Sequence, residues 1–299
     1  MRARHRQCRA GGAGLNRRRL VRVPASTANL GPGYDVLAAA LAIELELEVE
    51  ETGEFSVECE VPGVPCDRTN LCVRGFERLH PADGLRFRIR SAIPPGAGLG
   101  SSAAAIVAGL CAADHLYELN AELFEQAAEV EGHPDNVAAA LLGGFVICAG
   151  SGQAPARFDP PAGLEGVLVI PGDAVSTSEA RAAMPPEVPL IEAVYNVGHA
   201  SLLVLGLARA DFSLIGRGLA DRLHQPRRRS LYPRSMELVE RAEELGAVGA
   251  TISGAGPTVL FWCHWEETGA LVERLGTEAV GSEVRRVTFS PGGADVREL

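Results

Sequence analysis

The chain has 299 residues, a formal net charge of −10 and 28 basic residues, every one of them arginine. That acidic balance argues against a broad nucleic-acid surface, which needs a basic face, and the absence of lysine excludes a Walker A phosphate loop and a pyridoxal Schiff base. With 46% apolar residues, and apolar runs such as 137–150 that are too short and glycine-broken to cross a bilayer, the composition is that of an ordinary globule long enough for two domains.

Residues 1–19 carry seven arginines and no acid, but neither an apolar stretch nor serines, so they read as an unstructured extension. A first strand is expected at 20–23, stopped by Pro24. Residues 41–50 alternate apolar side chains with glutamate, and residues 85–90 alternate them with arginine. As neighbours in one sheet, the two rows would complement each other. Next comes Pro94-Pro95-Gly96-Ala97-Gly98-Leu99-Gly100-Ser101-Ser102, running into Ala103-Ala104 and a helix expected over 101–119. Glycines let the backbone approach a ligand closely, and a helix N-terminus offers unpaired N–H groups to a phosphate. The dinucleotide fingerprint fails here because its third glycine falls on Ser101.

A second helix reads from a cap at Asn120 to Gly132, with an apolar stripe of Leu123, Ala127 and Val130 that continues onto Glu131. An inward carboxylate in the last turn is opposed by burial and by the helix dipole unless a cation lies opposite. A composition break at 150–161 suggests a domain boundary, giving units at 20–158 and 159–299. Beyond it we expect a strand at 167–170, a capping box at Ser176 and Glu179, and helices at 190–208, 211–223 and 235–245, the last closed by Gly246. Strands at 248–253 and 259–263 flank a second glycine-rich turn, and a helix at 265–275 and a strand at 283–289 follow. Mixed elements without regular βαβ alternation indicate an α+β fold. The seven cysteines form no CxxC pair and read as buried free thiols of a reducing cytosol.

Four stretches stand out: Pro24-Ala25-Ser26-Thr27-Ala28-Asn29-Leu30-Gly31-Pro32-Gly33-Tyr34-Asp35, the glycine loop, Glu131-Gly132-His133-Pro134-Asp135-Asn136, and the turn 249–258. In this order they resemble the GHMP small-molecule kinases, among which are galactokinase, mevalonate kinase and the homoserine kinases. The first and third stretches, with Ser176-Thr177-Ser178-Glu179-Ala180-Arg181 and Gln225-Pro226-Arg227-Arg228-Arg229-Ser230-Leu231-Tyr232-Pro233, are most similar to the homoserine branch. The resemblance covers the chain from about residue 20 onward. It implies a two-domain fold, with a ribosomal protein S5 domain 2-like N-terminal unit and a ferredoxin-like C-terminal unit, and a cytoplasmic enzyme of threonine biosynthesis phosphorylating L-homoserine.

By the same resemblance, the backbone from Pro94 to Ala104 wraps the phosphates of ATP, Asn70 touches the adenine, and Ser102 and Glu131 hold Mg²⁺. Asn29, Asp35, His133, Asn136, Thr177, Arg181 and Arg228 surround the amino acid. Arginine matches a carboxylate, so Arg181 and Arg228 suit that end, and Asp35 suits the ammonium. Arg227 and Arg229 flank Arg228 and are alternatives to it in register. Asp35 and Asn136 are the candidates at the reacting hydroxyl, although a carboxylate already paired with a cation is a poor base. No nucleic-acid or membrane partner is expected, and a homodimer is compatible with the resemblance. The alternative readings are another GHMP kinase or a GHMP-fold binding protein without catalysis.

Overall fold

The computed structural model describes residues 17–150, 152–172 and 176–299. Strand β1 (Arg18–Ala28) returns antiparallel along β2 (Leu37–Glu51). Pro24 does not stop β1: the register shifts between Pro24 and Ala25. The strand on the other side of β1 ends opposite Arg22, so the N–H that proline lacks is not missed by that ladder. Arg18 and Arg19 are also strand residues, and Arg17 pairs with Glu51 at 2.7 Å. The expected extension is therefore shorter than 1–19, and residues 1–16 lie outside the described residues.

After β3 (Ser56–Cys59) and α1 (Leu71–Glu77), β4 (Leu85–Ser91) pairs with β2 in the register Glu46↔Arg90, Glu48↔Arg88 and Glu50↔Arg86. The two charged rows meet as their alternation predicts. The opposite face is covered by α2 (Ser101–Tyr117), with α3 (Leu123–Glu131) and α4 (Asp135–Leu142) beside it. Asn120 is not the cap of α3; it sits in the left-handed region at φ 54°, and Glu122 holds the N-cap position. Then β5 (Phe145–Ile147) pairs with Leu37–Ala39 of β2, and β6 (Ala156–Phe158) pairs with β5. Phe76 and Phe87 meet edge-to-face at 5.3 Å in this core; each fully buried side chain of that size contributes about 1.5–3 kcal/mol.

The second half runs β7 (Leu164–Pro171), α5 (Thr177–Ala182), α6 (Leu190–Arg209), α7 (Phe212–Gly218), α8 (Pro233–Glu240), β8 (Gly249–Ile252), β9 (Val259–His264), α9 (Thr268–Glu278) and β10 (Ser282–Thr288). Its antiparallel sheet has the order β10-β7-β9-β8, the arrangement of a ferredoxin-like unit. Helix α8 begins at Pro233, suited to a first turn, and ends at Glu240, earlier than its apolar pattern suggests. Gly246, at φ 87°, closes the turns that follow rather than the helix. Finally β11 (Asp295–Glu298) returns to pair with β1, so the last residues of the chain belong to the first sheet and not to the second unit.

Helix α6 spans twenty residues and has the length and mean hydropathy of a membrane span, a run whose character the apolar count over 137–150 does not reveal. Its buried Asn196 donates to Pro32 O at 3.0 Å and to Asp221 Oδ1 at 2.7 Å, and Leu203, Gly206 and Leu207 are buried where it meets α7. Four of the cysteines, Cys72, Cys111, Cys148 and Cys263, are buried as free thiols, while Cys66 is exposed.

Candidate active site

The glycine loop closes against two other loops, and the fit leaves no room for side chains. A Cβ on Gly98 would lie 2.3 Å from Ser253 O, and one on Gly100 would lie 2.0 Å from Ser26 Oγ. Both glycines have positive φ, which lets the chain turn directly into α2. Ser26 N donates to Leu99 O at 3.1 Å, Ser253 Oγ donates to Gly98 O at 2.7 Å, and Gly254 N donates to Ala28 O at 3.1 Å. The end of β1 and the turn after β8 thus hold the carbonyls of Leu99 and Gly98 from two sides. At the start of α2, Ser102 Oγ donates to Glu131 Oε1 at 2.6 Å. Burial raises the Glu131 carboxyl above its ordinary value, and this hydrogen bond opposes the rise.

These elements line a cavity of about 460 Å³ with two unlike ends. One end is built from Leu45, Val61, Pro65, Leu71, Ile89 and Ile93, an apolar slot suited to a flat ring. Asn70 lines it, but its side chain is spent on structure: Oδ1 caps α1 at Cys72 N (2.9 Å), and Nδ2 donates to Pro65 O (2.7 Å). Asn70 thus stands on the cavity wall, where the resemblance puts the adenine, with its side chain fixed by these two bonds.

The other end gathers Asn29, Asp35, His133, Asn136, Thr177, Arg181 and Arg228, all seven of the substrate residues named from sequence. Asn29 Nδ2 donates to Gly254 O at 2.8 Å, and Asn29 Oδ1 accepts from Asp35 N at 3.0 Å. Asn136 Oδ1 accepts from Ser26 Oγ at 2.8 Å, which leaves its Nδ2 as a donor. His133 Nδ1 is buried without a hydrogen-bond partner. Arg181 and Asp35, assigned to opposite ends of the ligand, instead grip each other through two bonds of 2.9 and 3.1 Å.

The three consecutive arginines separate cleanly. Arg227 binds Glu192 and Leu223 O, and Arg229 pairs with Glu240 on the surface. Arg228 turns inward, 2% exposed, and donates to Ala180 O (2.9 Å), Gly254 O (3.2 Å) and His224 Nδ1 (3.3 Å). It makes no ion pair among the described residues.

Asp135 lies inside the third motif, where the sequence alone assigns it no role. It lines the cavity, is 2% exposed, and accepts from Asn136 N at 2.8 Å. Burial pushes its carboxyl up to about 6, with the charge of Asp35 adding to the rise. Its only sequence signal is an acid in the first helical turn, which usually marks a helix start and nothing more. Ser26 and Tyr34 likewise lie within the first motif; their tasks are visible only in space.

Residues 69–144 match the family described as GHMP kinases N terminal domain, and residues 203–279 match GHMP kinases C terminal. The chain is 40% identical to a homoserine kinase of Moorella thermoacetica over 82% of this chain and 87% of that one. It is 38% identical to a homoserine kinase of Prochlorococcus marinus over 94% and 96% of the two chains. The crystal structure of homoserine kinase from Cytophaga hutchinsonii superposes with a TM-score of 0.82 at 29% identity, covering 96% of this chain and 99% of the other.

Proposed function

The chain belongs to the GHMP kinase family, in its homoserine kinase branch, and we propose how its residues share the transfer of the γ-phosphoryl group of ATP to the side-chain hydroxyl of L-homoserine. The observation that carries the substrate end is Arg228, a buried guanidinium on the cavity wall with no acidic partner among the described residues. An uncompensated buried ion costs several kcal/mol, and a ligand carboxylate relieves that cost. Asp135 is the complement: an ammonium beside it would lower its raised carboxyl.

A zwitterion brings both signs at once. Its carboxylate can take Arg181 and Arg228 while its ammonium takes Asp35 and Asp135, so the Asp35–Arg181 pair opens without stranding either charge. Asn29, Thr177 and the unpartnered Nδ1 of His133 complete the polar lining. With Asn136 Oδ1 held by Ser26, the free Nδ2 donates to the substrate oxygen and orients it. The hydroxyl proton is then left to pass toward the phosphate, because Asp35 is engaged as a counter-ion. Asn136 therefore acts by positioning.

At the other end, the backbone from Pro94 to Ala104, whose N–H groups begin at Gly96, and the positive end of α2 suit the triphosphate, and the apolar slot suits the base. Ser102 and Glu131 would hold Mg²⁺. A hydroxyl and one carboxylate fit that ion, which completes its shell with phosphate oxygens and water, and the raised carboxyl of Glu131 favours a nearby cation. When bound, the ion supplies neutralisation of charge developing on the phosphoryl oxygens.

ADP release should be fast with ATP and L-homoserine. It should be slow with two analogues that each lack one charge, the amino alcohol aminopropanol and the hydroxy acid γ-hydroxybutanoate. Turnover of galactose, mevalonate or shikimate at a comparable rate would overturn the reading, as would no turnover at all. Arg181→Ala should raise the KM for homoserine about 30-fold and leave that for ATP within about twofold. A parallel rise in both constants removes Arg181 from the substrate.

A further inference from the structure

His224 touches neither end of the cavity, yet it is fully buried and sits between two groups that do. Its Nε2 lies 2.8 Å from Gly31 O, and its Nδ1 lies 3.3 Å from Arg228 Nη1. A carbonyl only accepts and a guanidinium only donates, so the chemistry fixes the tautomer: the proton is on Nε2 and the lone pair is on Nδ1. We propose that His224 is a positioning residue for the substrate carboxylate, aiming Arg228 by accepting from it while anchoring the loop that carries Asn29 and Asp35. The proposal rests on the substrate reading given above for Arg228.

The support around the ring is continuous. Asp221, whose side chain is fully buried, accepts from the amides of Leu223, His224 and Gln225 and from Asn196 Nδ2. Asn196 also reaches Pro32 O, one residue past the Gly31 anchor. Gly254 O accepts from both Asn29 Nδ2 and Arg228 Nη1, which closes the circuit between the loop and the guanidinium. The groups around the imidazole are Asp221, with Oδ2 at 3.5 Å from Nε2, the Arg228 guanidinium, Gly31 O, the Tyr34 ring at 5.5 Å between centroids, and the charge of Asp35. Burial lowers the basicity of the ring and Arg228 adds to this, while Asp221 opposes it. A protonated ring would lose the acceptor and place a second cation against Arg228. Neutrality is what the arrangement requires.

Two substitutions separate the two bonds. In His224→Asn the amide oxygen stands near the place of Nδ1, and in His224→Gln the amide nitrogen stands near the place of Nε2. We expect His224→Gln to raise the KM for homoserine about tenfold and His224→Asn to raise it no more than about threefold, with kcat and the KM for ATP within about twofold in both. Binding of aminopropanol, which has no carboxylate, should not change in either variant. Equal effects of the two variants, a shift that includes ATP, or no shift in either overturns the proposal. On the wild-type protein, ¹⁵N spectra of the imidazoles should show His224 neutral with its proton on Nε2; a cationic ring or a proton on Nδ1 overturns it whether or not the variants fold. Arg228→Ala separates the two levels. If it leaves the KM for homoserine unchanged, the substrate reading fails; if it raises that KM while His224→Gln does not, only the role of His224 fails.

Discussion

On the outer face of the first sheet, charge meets charge. Arg18 and Arg88 both hold Glu48, at 2.7 and 2.8 Å, Arg88 also reaches Glu58 at 3.1 Å, and Arg22 holds Glu46 at 2.6 Å. In the cavity, Arg228 and Glu131 make no ion pair among the described residues, and Asp135 is a buried acid whose proton is held to about pH 6. The sheet surface is at rest, whereas the cavity is short of charges that a ligand brings. Partly exposed pairs of this kind are each worth little, about 0–1 kcal/mol. A buried unpaired charge is worth several kcal/mol once a partner arrives. The difference lies in the dielectric surroundings, since the residue types are the same.

The largest effect should come from Glu131→Gln, which keeps the shape and removes the charge. We expect kcat to fall by about 100-fold or more, with an altered Mg²⁺ titration; an unchanged titration would show that this carboxylate is not short of a cation. Gly100→Ala comes next, because its Cβ would collide with Ser26 Oγ at a positive φ. It should lower kcat/KM about 30-fold and stability by about 1–3 kcal/mol, read by kinetics and denaturant unfolding. Wild-type kinetics in that variant would mean that the loop need not approach so closely.

Asp135→Asn should move the other way and stabilise the empty protein. The folded state holds the Asp135 proton to about pH 6, above the ordinary carboxylate range, so the native chain binds more protons than the unfolded one between about pH 4 and 6. Stability therefore falls as pH rises through that window and stays reduced above it. The variant should be more stable by about 1–3 kcal/mol at pH 7.5, with the gap closing below about pH 4. A gap independent of pH would sink the assignment. The smallest effect is expected on the sheet: Glu48→Gln should lower the unfolding midpoint by no more than about 3 °C, less in high salt, with unchanged kinetics. A loss of activity there would dissolve the contrast between the two regions.

Much of this is legible in the sequence because it depends on local periodicity. The alternation of glutamate at 44, 46, 48 and 50 with arginine at 86, 88 and 90 requires two strands, and their pairing follows from complementary rows. The capping box at Ser176 and Glu179 forms as spaced, and so does the turn into α2 after Gly100. Differences fall where distant chain decides. Pro24 reads as a stop, yet β1 continues because its neighbour ends at Arg22. Asn120 has a capping side chain but a left-handed backbone, so α3 starts three residues later at Leu123. Asn70 also caps α1, a task its position in the sequence does not announce and that is fixed further by Pro65 O.

The sequence by itself determined the α+β class, the glycine loop that turns into α2 and the lack of any lysine. Those properties reside in residue type and short spacing. Only the tertiary structure decided which of three adjacent arginines turns inward, that Asp35 and Arg181 hold each other, that Asp135 is buried in the cavity wall and that His224 lies between Gly31 O and Arg228. Each of those outcomes depends on burial, and the arginine and histidine ones on partners that lie 4 to 193 positions away along the chain. Charge energetics change severalfold between water and a closed cavity, and no local pattern records which side of that boundary a residue will occupy.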